Sequence, residues 1–468
     1  MLGRTTRFVV AGGCALLLPR LAGAAGPPPA VPPAPPSLPP ATPAPVAPAT
    51  MAAPAAGPAT IVPAGPTMSL QDAVQLALSR NERAKISDLN VVVADAAVER
   101  AFAGFMPLVT MGGTDTQHAY ASTSTTPNNV GTANLTVNQP LLNASLFPLY
   151  SQAKELANAQ RSQNVDDKRL LAFAGATAFF TVLNAQEVVA AAQRALDNSR
   201  ANLADTQARA QAGLNSSNDV TRAQVDMTGA VREVEADKGT LDNAYVQLAF
   251  TVNAPVPASV VPPAATLAVA QQGSGVPDPL VRFALDHRPD VLVAKYQASA
   301  AHDFADEPMM RLIPTVGLQG VAQTSNALPG GRTTDELLQG TLTWTVFDQG
   351  VRYADKHSRD AQADIAELNL KLLDRSVDAQ VRSAVALLAS AQAAFRAAGE
   401  SSGFARQNVE ETAILYRQGL AKAIELVDAN DSRFTAEVNL SSAEFTMAQA
   451  YLGLRQALGL EPLGTELK

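Results

Sequence analysis

Three carboxylates stand one helical turn apart in the stretch "YRQGLAKAIELVDAND" (416–431): Glu425, Asp428 and Asp431. Spacing by three places them on one helix face, where like charges repel by roughly a few tenths of a kcal/mol per pair. A chain that keeps such a stack either leaves it as a solvated acidic face or uses it as a local negative field for cations. Other reactive groups are sparse. His118, His287, His302 and His357 are scattered without metal-ligand spacing. No phosphate loop, GxSxG, HExxH or paired-cysteine motif occurs. The chain is therefore expected to be no enzyme and to hold neither metal nor cofactor.

The composition is 47% hydrophobic, 17% charged and 5% aromatic, with a formal charge of −8. An acidic balance without a dense Lys/Arg run excludes nucleic acid as a partner. Residues 1–25 read as a signal peptide: Arg4 and Arg7, an apolar stretch from Phe8, then small residues up to Ala24 and Ala25. Cys14, the single cysteine, lies inside it, and "AGGC" leaves lipidation open. Residues 26–66 are a Pro/Ala-rich tether. No later apolar run is long enough for a transmembrane helix.

The rest is a tandem duplication. "ALSRNERAKI" pairs with "ALDHRPDVLV", "FMPLVTMGG" with "LIPTVGLQG", "LTVNQPLLN" with "LTWTVFDQG", and "RAQAGLNSSNDVTRAQ" with "LYRQGLAKAIELVDAN", all at one offset of about 206 residues. The repeats are expected over 67–265 and 276–462, joined by a linker containing "GSG". Each opens with a helical segment (68–104 and 278–307) stopped by Pro107 or Pro314. Two segments of strand periodicity follow, with alternation at 137, 139 and 141 and at 342, 344 and 346. Polar loops over 119–131 and 323–336 connect them. A long helix (150–212 and 351–418) comes next, and beyond Gly213 or Gly419 a helix of about forty residues returns. Val381, Leu388, Phe395, Val409 and Tyr416 keep one seven-residue register, as do Phe173 with Phe180 and Leu196 with Leu203.

The resulting fold class is mainly α with a small β part. Hairpins near 95 Å long, by the rise of about 1.5 Å per residue, need lateral partners. Four strands of membrane-crossing length cannot leave an open edge in lipid, so they must close with copies from other chains. Three chains would give twelve strands. The short first helices are expected to stack end to end on the returning helices of the opposite repeat.

"SLQDAVQLALSRN", "FMPLVTMGG", "LTVNQPLLN", "RAQAGLNSSNDV" and "YRQGLAKAIELVDAN" together resemble the TolC-type outer-membrane efflux family over about 68 to 460. The resemblance implies a homotrimer whose tandem helical hairpins form an α-barrel tunnel in the periplasm, continued by a twelve-stranded β-barrel in outer-membrane lipid. Such a duct serves a tripartite efflux pump or type I secretion system, with a periplasmic adaptor and a proton-driven or ABC inner-membrane pump as partners. By resemblance Glu425 and Asp428 line the periplasmic aperture, and Asp431 is added one turn on. The family's closed state rests on an aromatic hydroxyl and an arginine that meet an aspartate. Tyr416 and Asp219 match the aromatic and the aspartate; Ala421 replaces the arginine, with Lys422 beside it. The tips at Gly213, Leu214, Ser217, Gly419 and Leu420 are expected to dock the adaptor. A periplasmic coiled-coil adaptor is the competing reading; adaptors of that kind carry one hairpin where this chain has two.

Overall fold

The computed structural model describes residues 67–117, 129–273, 275–328 and 331–463. The expected signal peptide with Cys14, the tether and most of the 119–131 loop lie outside them.

The duplication is visible in the element order. The first repeat runs α1 (Leu70–Arg80), α2 (Glu82–Ala103), β1 (Leu108–Gln117), β2 (Asn129–Leu142), α3 (Leu146–Gln211) and α4 (Ser217–Val252). A short α5 (Ala264–Ala270) follows, and α6 (Pro277–His287), α7 (Pro289–Met310), β3 (Thr315–Leu328), β4 (Gly331–Thr343), α8 (Val351–Arg417) and α9 (Ala423–Ala457) repeat the pattern. Both expected leading helices are split. Asn81 turns extended and caps α2, accepting from the Arg83 amide at 2.9 Å. Arg288 is likewise extended, and Pro289 behind it can begin a helix but not continue one.

These breaks place the short helices. Asn81 Nδ2 donates to the Thr251 carbonyl at 2.8 Å, and Asn253 Nδ2 donates to the Arg80 carbonyl at 3.2 Å. In the second repeat Arg288 Nη1 donates to the Ala457 carbonyl at 3.1 Å. The amino ends of α2 and α7 thus sit on the carboxyl ends of α4 and α9 of their own repeats, correcting the expectation of the opposite repeat. The reason is electrostatic: orphan carbonyls at one helix end meet donors beside the start of the next. With 22 and 36 residues, α2 and α4 together approach the 66 of α3.

Helix α3 packs on α2 and α4 and, separately, on α7 and α9; α8 packs on α7 and α9. The heptad positions Phe173, Phe180, Val381, Leu388, Val409 and Tyr416 are buried, as that register requires. Two apolar clusters form, one around Phe179 and Phe180 that also takes in Ala448 and Leu452 of α9, the other around Val377, Val381 and Leu388. Glu437 on α9, with its side chain 9% exposed, faces Arg194 of α3 at 3.0 Å and Arg406 of α8 at 3.6 Å. Apolar stripes remain uncovered on α2 (Ile86, Leu89, Val93) and on α8 (Ile365, Leu368, Leu372).

The four strands form one antiparallel sheet in the order β1-β2-β3-β4. Trp344 and Val346, expected to continue a strand, lie beyond β4, and Trp344 Nε1 donates to the Leu312 carbonyl at 3.0 Å. The second loop is also shorter than expected, because residues 323–328 and 331–336 are themselves strand. Register divides the sheet into two faces. The row Val109–Val137–Gly320–Leu338 is apolar, and so is Met111–Leu135–Ala322 until it ends on Glu336 of β4. The rows Asn138–Gln319–Gln339 and Asn134–Gln323–Asp335 are polar and point the other way. Apolar residues interrupt the polar face at Leu108, which pairs with Asn138, and in the row where Val321 pairs with Leu337.

Candidate functional site: the hairpin tips

Both hairpins turn in the same way. Gly213 and Gly419 each adopt φ of 75°, a left-handed conformation that costs a residue with Cβ about 1 kcal/mol or more. The Leu214 amide bonds the Arg209 carbonyl at 2.9 Å, and the Leu420 amide bonds the Leu415 carbonyl at 2.8 Å. These are Schellman closures, in which the leucine normally folds back onto its helix. Here Leu214 and Leu420 are 74% and 73% exposed, two apolar side chains held out at the tips. Ser217 opens α4 next to them.

The returning helices start differently. Ser216 caps α4: its hydroxyl accepts from the Asp219 amide at 3.3 Å, while Asp219 Oδ2 accepts from the Ser216 amide at 3.1 Å. Asp219 is thereby committed to a capping box. Lys422 occupies the corresponding position before α9 and makes no side-chain cap. Glu425, the counterpart of Asp219, has no cap to close and remains exposed with Asp428.

The expected contact between Tyr416 and Asp219 is not made within the chain. Tyr416 is buried, its ring lies under the Arg209 guanidinium at 4.3 Å, and its hydroxyl accepts from Asn215 Nδ2 at 3.4 Å. Arg209 is itself held by Asp205 at 2.9 Å. Asp219 is engaged elsewhere, so Arg209 and Asn215 supply the link between the two tips. Lys422 is exposed at the start of α9 and forms no ion pair among the described residues.

Asp226, on α4, is an acid that spacing along one helix could not reveal. Burial raises its pKa; Arg222 works against that rise and Asp428 adds to it. Burial also raises the pKa of Asp431, helped by repulsion from Asp226 and Asp428. The stack on α9 thus extends across to α4, joining Asp226, Asp428 and Asp431 in one electrostatic unit.

Paired helical hairpins that carry a sheet apolar on one face and polar on the other define a membrane channel subunit with a long helical extension. The chain belongs to the family described as outer membrane efflux protein, which it matches over residues 73–254 and 280–460. It is 24% identical over 391 residues to the outer membrane protein TolC of Escherichia coli K12, covering 78% of this chain and 77% of that one. Its fold is similar to that of CusC, with a TM-score of 0.74 at 17% identity over 84% of this chain and 92% of the other. The open-state MtrE channel of Neisseria gonorrhoeae gives a TM-score of 0.71 at 20% identity over 84% and 90%. The protein is an outer-membrane efflux channel protein with a periplasmic helical extension.

Proposed function

We propose that three copies close into one continuous exit duct, a twelve-stranded barrel above a helical tunnel, serving a tripartite efflux pump or type I secretion system. The two-faced sheet carries this reading. Its outer strands β1 and β4 pair with one neighbour each, its apolar face suits lipid, and its polar face suits a water-filled lumen. The apolar stripes on α2 and α8 suit burial against neighbouring copies. At the periplasmic end Glu425 and Asp428 of three chains form a ring that attracts cations, with Asp431 one turn behind. Leu214 and Leu420, beside Gly213 and Gly419, offer the adaptor's hairpin an apolar foothold.

Outer-membrane fractions should contain a trimer that resists detergent at elevated temperature. In intact cells a cysteine at Arg332, at the far end of the β3–β4 hairpin, should take an impermeant thiol label, while one at Leu214 should stay protected. A soluble monomer, or labelling at Leu214 alone, would overturn the reading.

A further inference from the structure

A crevice of about 20 Å³ lies among α3, α4 and the start of α9, with Asn202, Thr206, Asp219, Arg222 and Asp226 in its wall. Asn202 and Thr206 are four apart on α3, so they share a face. Thr206 is 0% exposed, and neither its Oγ1 nor Asn202 Oδ1 has a hydrogen-bond partner. Burying two such oxygens unpaired costs free energy that an occupant would recover. The duplication supplies an internal comparison. The counterparts 206 residues on, Asn408 and Thr412, satisfy each other, with Thr412 Oγ1 at 3.4 Å from Asn408 Oδ1. In the first repeat the same pair lines a crevice together with Asp219 and Asp226.

We propose that this crevice binds one divalent cation of the hard, oxygen-seeking kind, through the Asp226 carboxylate, Asn202 Oδ1 and Thr206 Oγ1. A carboxylate with neutral amide and hydroxyl oxygens is a donor set suited to Ca²⁺ or Mg²⁺, with water completing the shell. The volume holds the ion itself, and the half-buried Asn202 and Asp226 leave its remaining positions open to water from the surface. Among the described residues no three of His, Cys, Asp and Glu gather as a metal site; the neutral oxygens take that part here. Charge favours the ion, since Asp219 and Asp226 line the crevice with only Arg222 opposing, and Asp428 and Asp431 add negative field. The bound ion would tie α3 to α4 near the tip, inside one chain and independent of any ring formed across the lumen.

Calcium titration of the purified full-length protein, followed calorimetrically, tests this. Four variants are compared: Asp226→Asn, Thr206→Val, Arg222→Gln and the double Glu425→Ala/Asp428→Ala. Wild type should bind one ion per chain in this site. Asp226→Asn should weaken it at least about tenfold, since the one charged ligand is lost; Thr206→Val should weaken it less. Arg222→Gln should tighten binding, and the double variant should retain the site at reduced affinity. Circular dichroism and oligomeric state establish that each variant is folded. Loss of all binding in the double variant with none in Asp226→Asn would assign the ion to the lumen and overturn the proposal. Binding seen only with Arg222→Gln would mean that the guanidinium fills the crevice, and would overturn the proposal for the native chain. No binding in any folded variant would leave the crevice to a water molecule and equally overturn it.

Discussion

The two hairpin tips share a backbone and differ in what their first carboxylate does. Gly213 and Gly419 have the same φ, and both closures bond to the same helical positions. Past that point Ser216 draws Asp219 into a capping box, whereas Lys422 leaves Glu425 uncapped. The helix junctions diverge in the same manner. The first is bridged by the neutral amides of Asn81 and Asn253, the second by the buried guanidiniums of Arg288 and Arg169 on the carbonyls of Ala457 and Gln456. Duplication preserved the positions where chain direction changes and released the side chains around them. One tip became a well-capped helix start; the other acquired free negative charge.

Substitutions can break this contrast. The largest effect is expected at the charged junction. Arg288→Ala removes a guanidinium that holds Asp290 at 2.7 Å and also bonds Gln380 and Ala457. Burial alone would raise the pKa of Asp290, but Arg288 outweighs it and holds the carboxyl below its ordinary range. The variant should lose about 3 kcal/mol, since a partly buried carboxylate is left without its cation. Asn81→Ala, at the neutral junction, should lose only about 1 kcal/mol. Denaturant titration of the two variants side by side measures the difference, and equal losses would erase the contrast.

The tips should respond more gently. Ser216→Ala should cost about 1 kcal/mol by opening the capping box. Lys422→Ser should install that box at the second tip, gain about 0.5 kcal/mol, and draw Glu425 back toward the cap. Cation block of the channel should weaken with it. Unchanged block in a stabilised Lys422→Ser variant would separate Glu425 from the mouth.

The smallest effect is a pH dependence. Because the folded pKa of Asp431 lies above the ordinary carboxylate value, the native state keeps a proton that the unfolded chain has lost. The contribution of Asp431 to stability should therefore rise as pH falls from neutrality through that raised value, and level off below the unfolded pKa near about 4. Asp431→Asn should flatten this part of the profile and be slightly more stable than wild type at pH 7. Melting curves across the range read it directly.

Backbone-level organisation was legible in the sequence wherever the cue was local. The repeat offset, the long helices with their heptads and the glycines of both tips follow from spacing and from residues that end helices. The split at Arg288 was foreshadowed by Pro289, but Asn81 carries no such stop and acts through a cap and a tertiary bond to Thr251. Alternation misled at Trp344 and Val346, because apolar residues at period two also occur where a chain leaves a sheet. At the site, the α9 acids were readable from their spacing, whereas Asp226 joins them only through the approach of α4 to α9. The separation of Asp219 from Tyr416 did have a signal, since Ser216 three residues before Asp219 is a capping-box pattern. Asn215 and Arg209 as partners of Tyr416 had none, because nothing along the chain reports which side chains two tips bring together.

The most direct test of the duct is single-channel recording of the purified protein in a planar bilayer. Wild type should conduct with cation preference and be blocked by multivalent cations from the tip side, while monovalent salt only screens the field. Glu425→Ala/Asp428→Ala should assemble and conduct, but lose both preference and block. No conductance from correctly assembled protein would contradict the duct itself, and a double variant with wild-type selectivity and block would show that these carboxylates point away from the lumen.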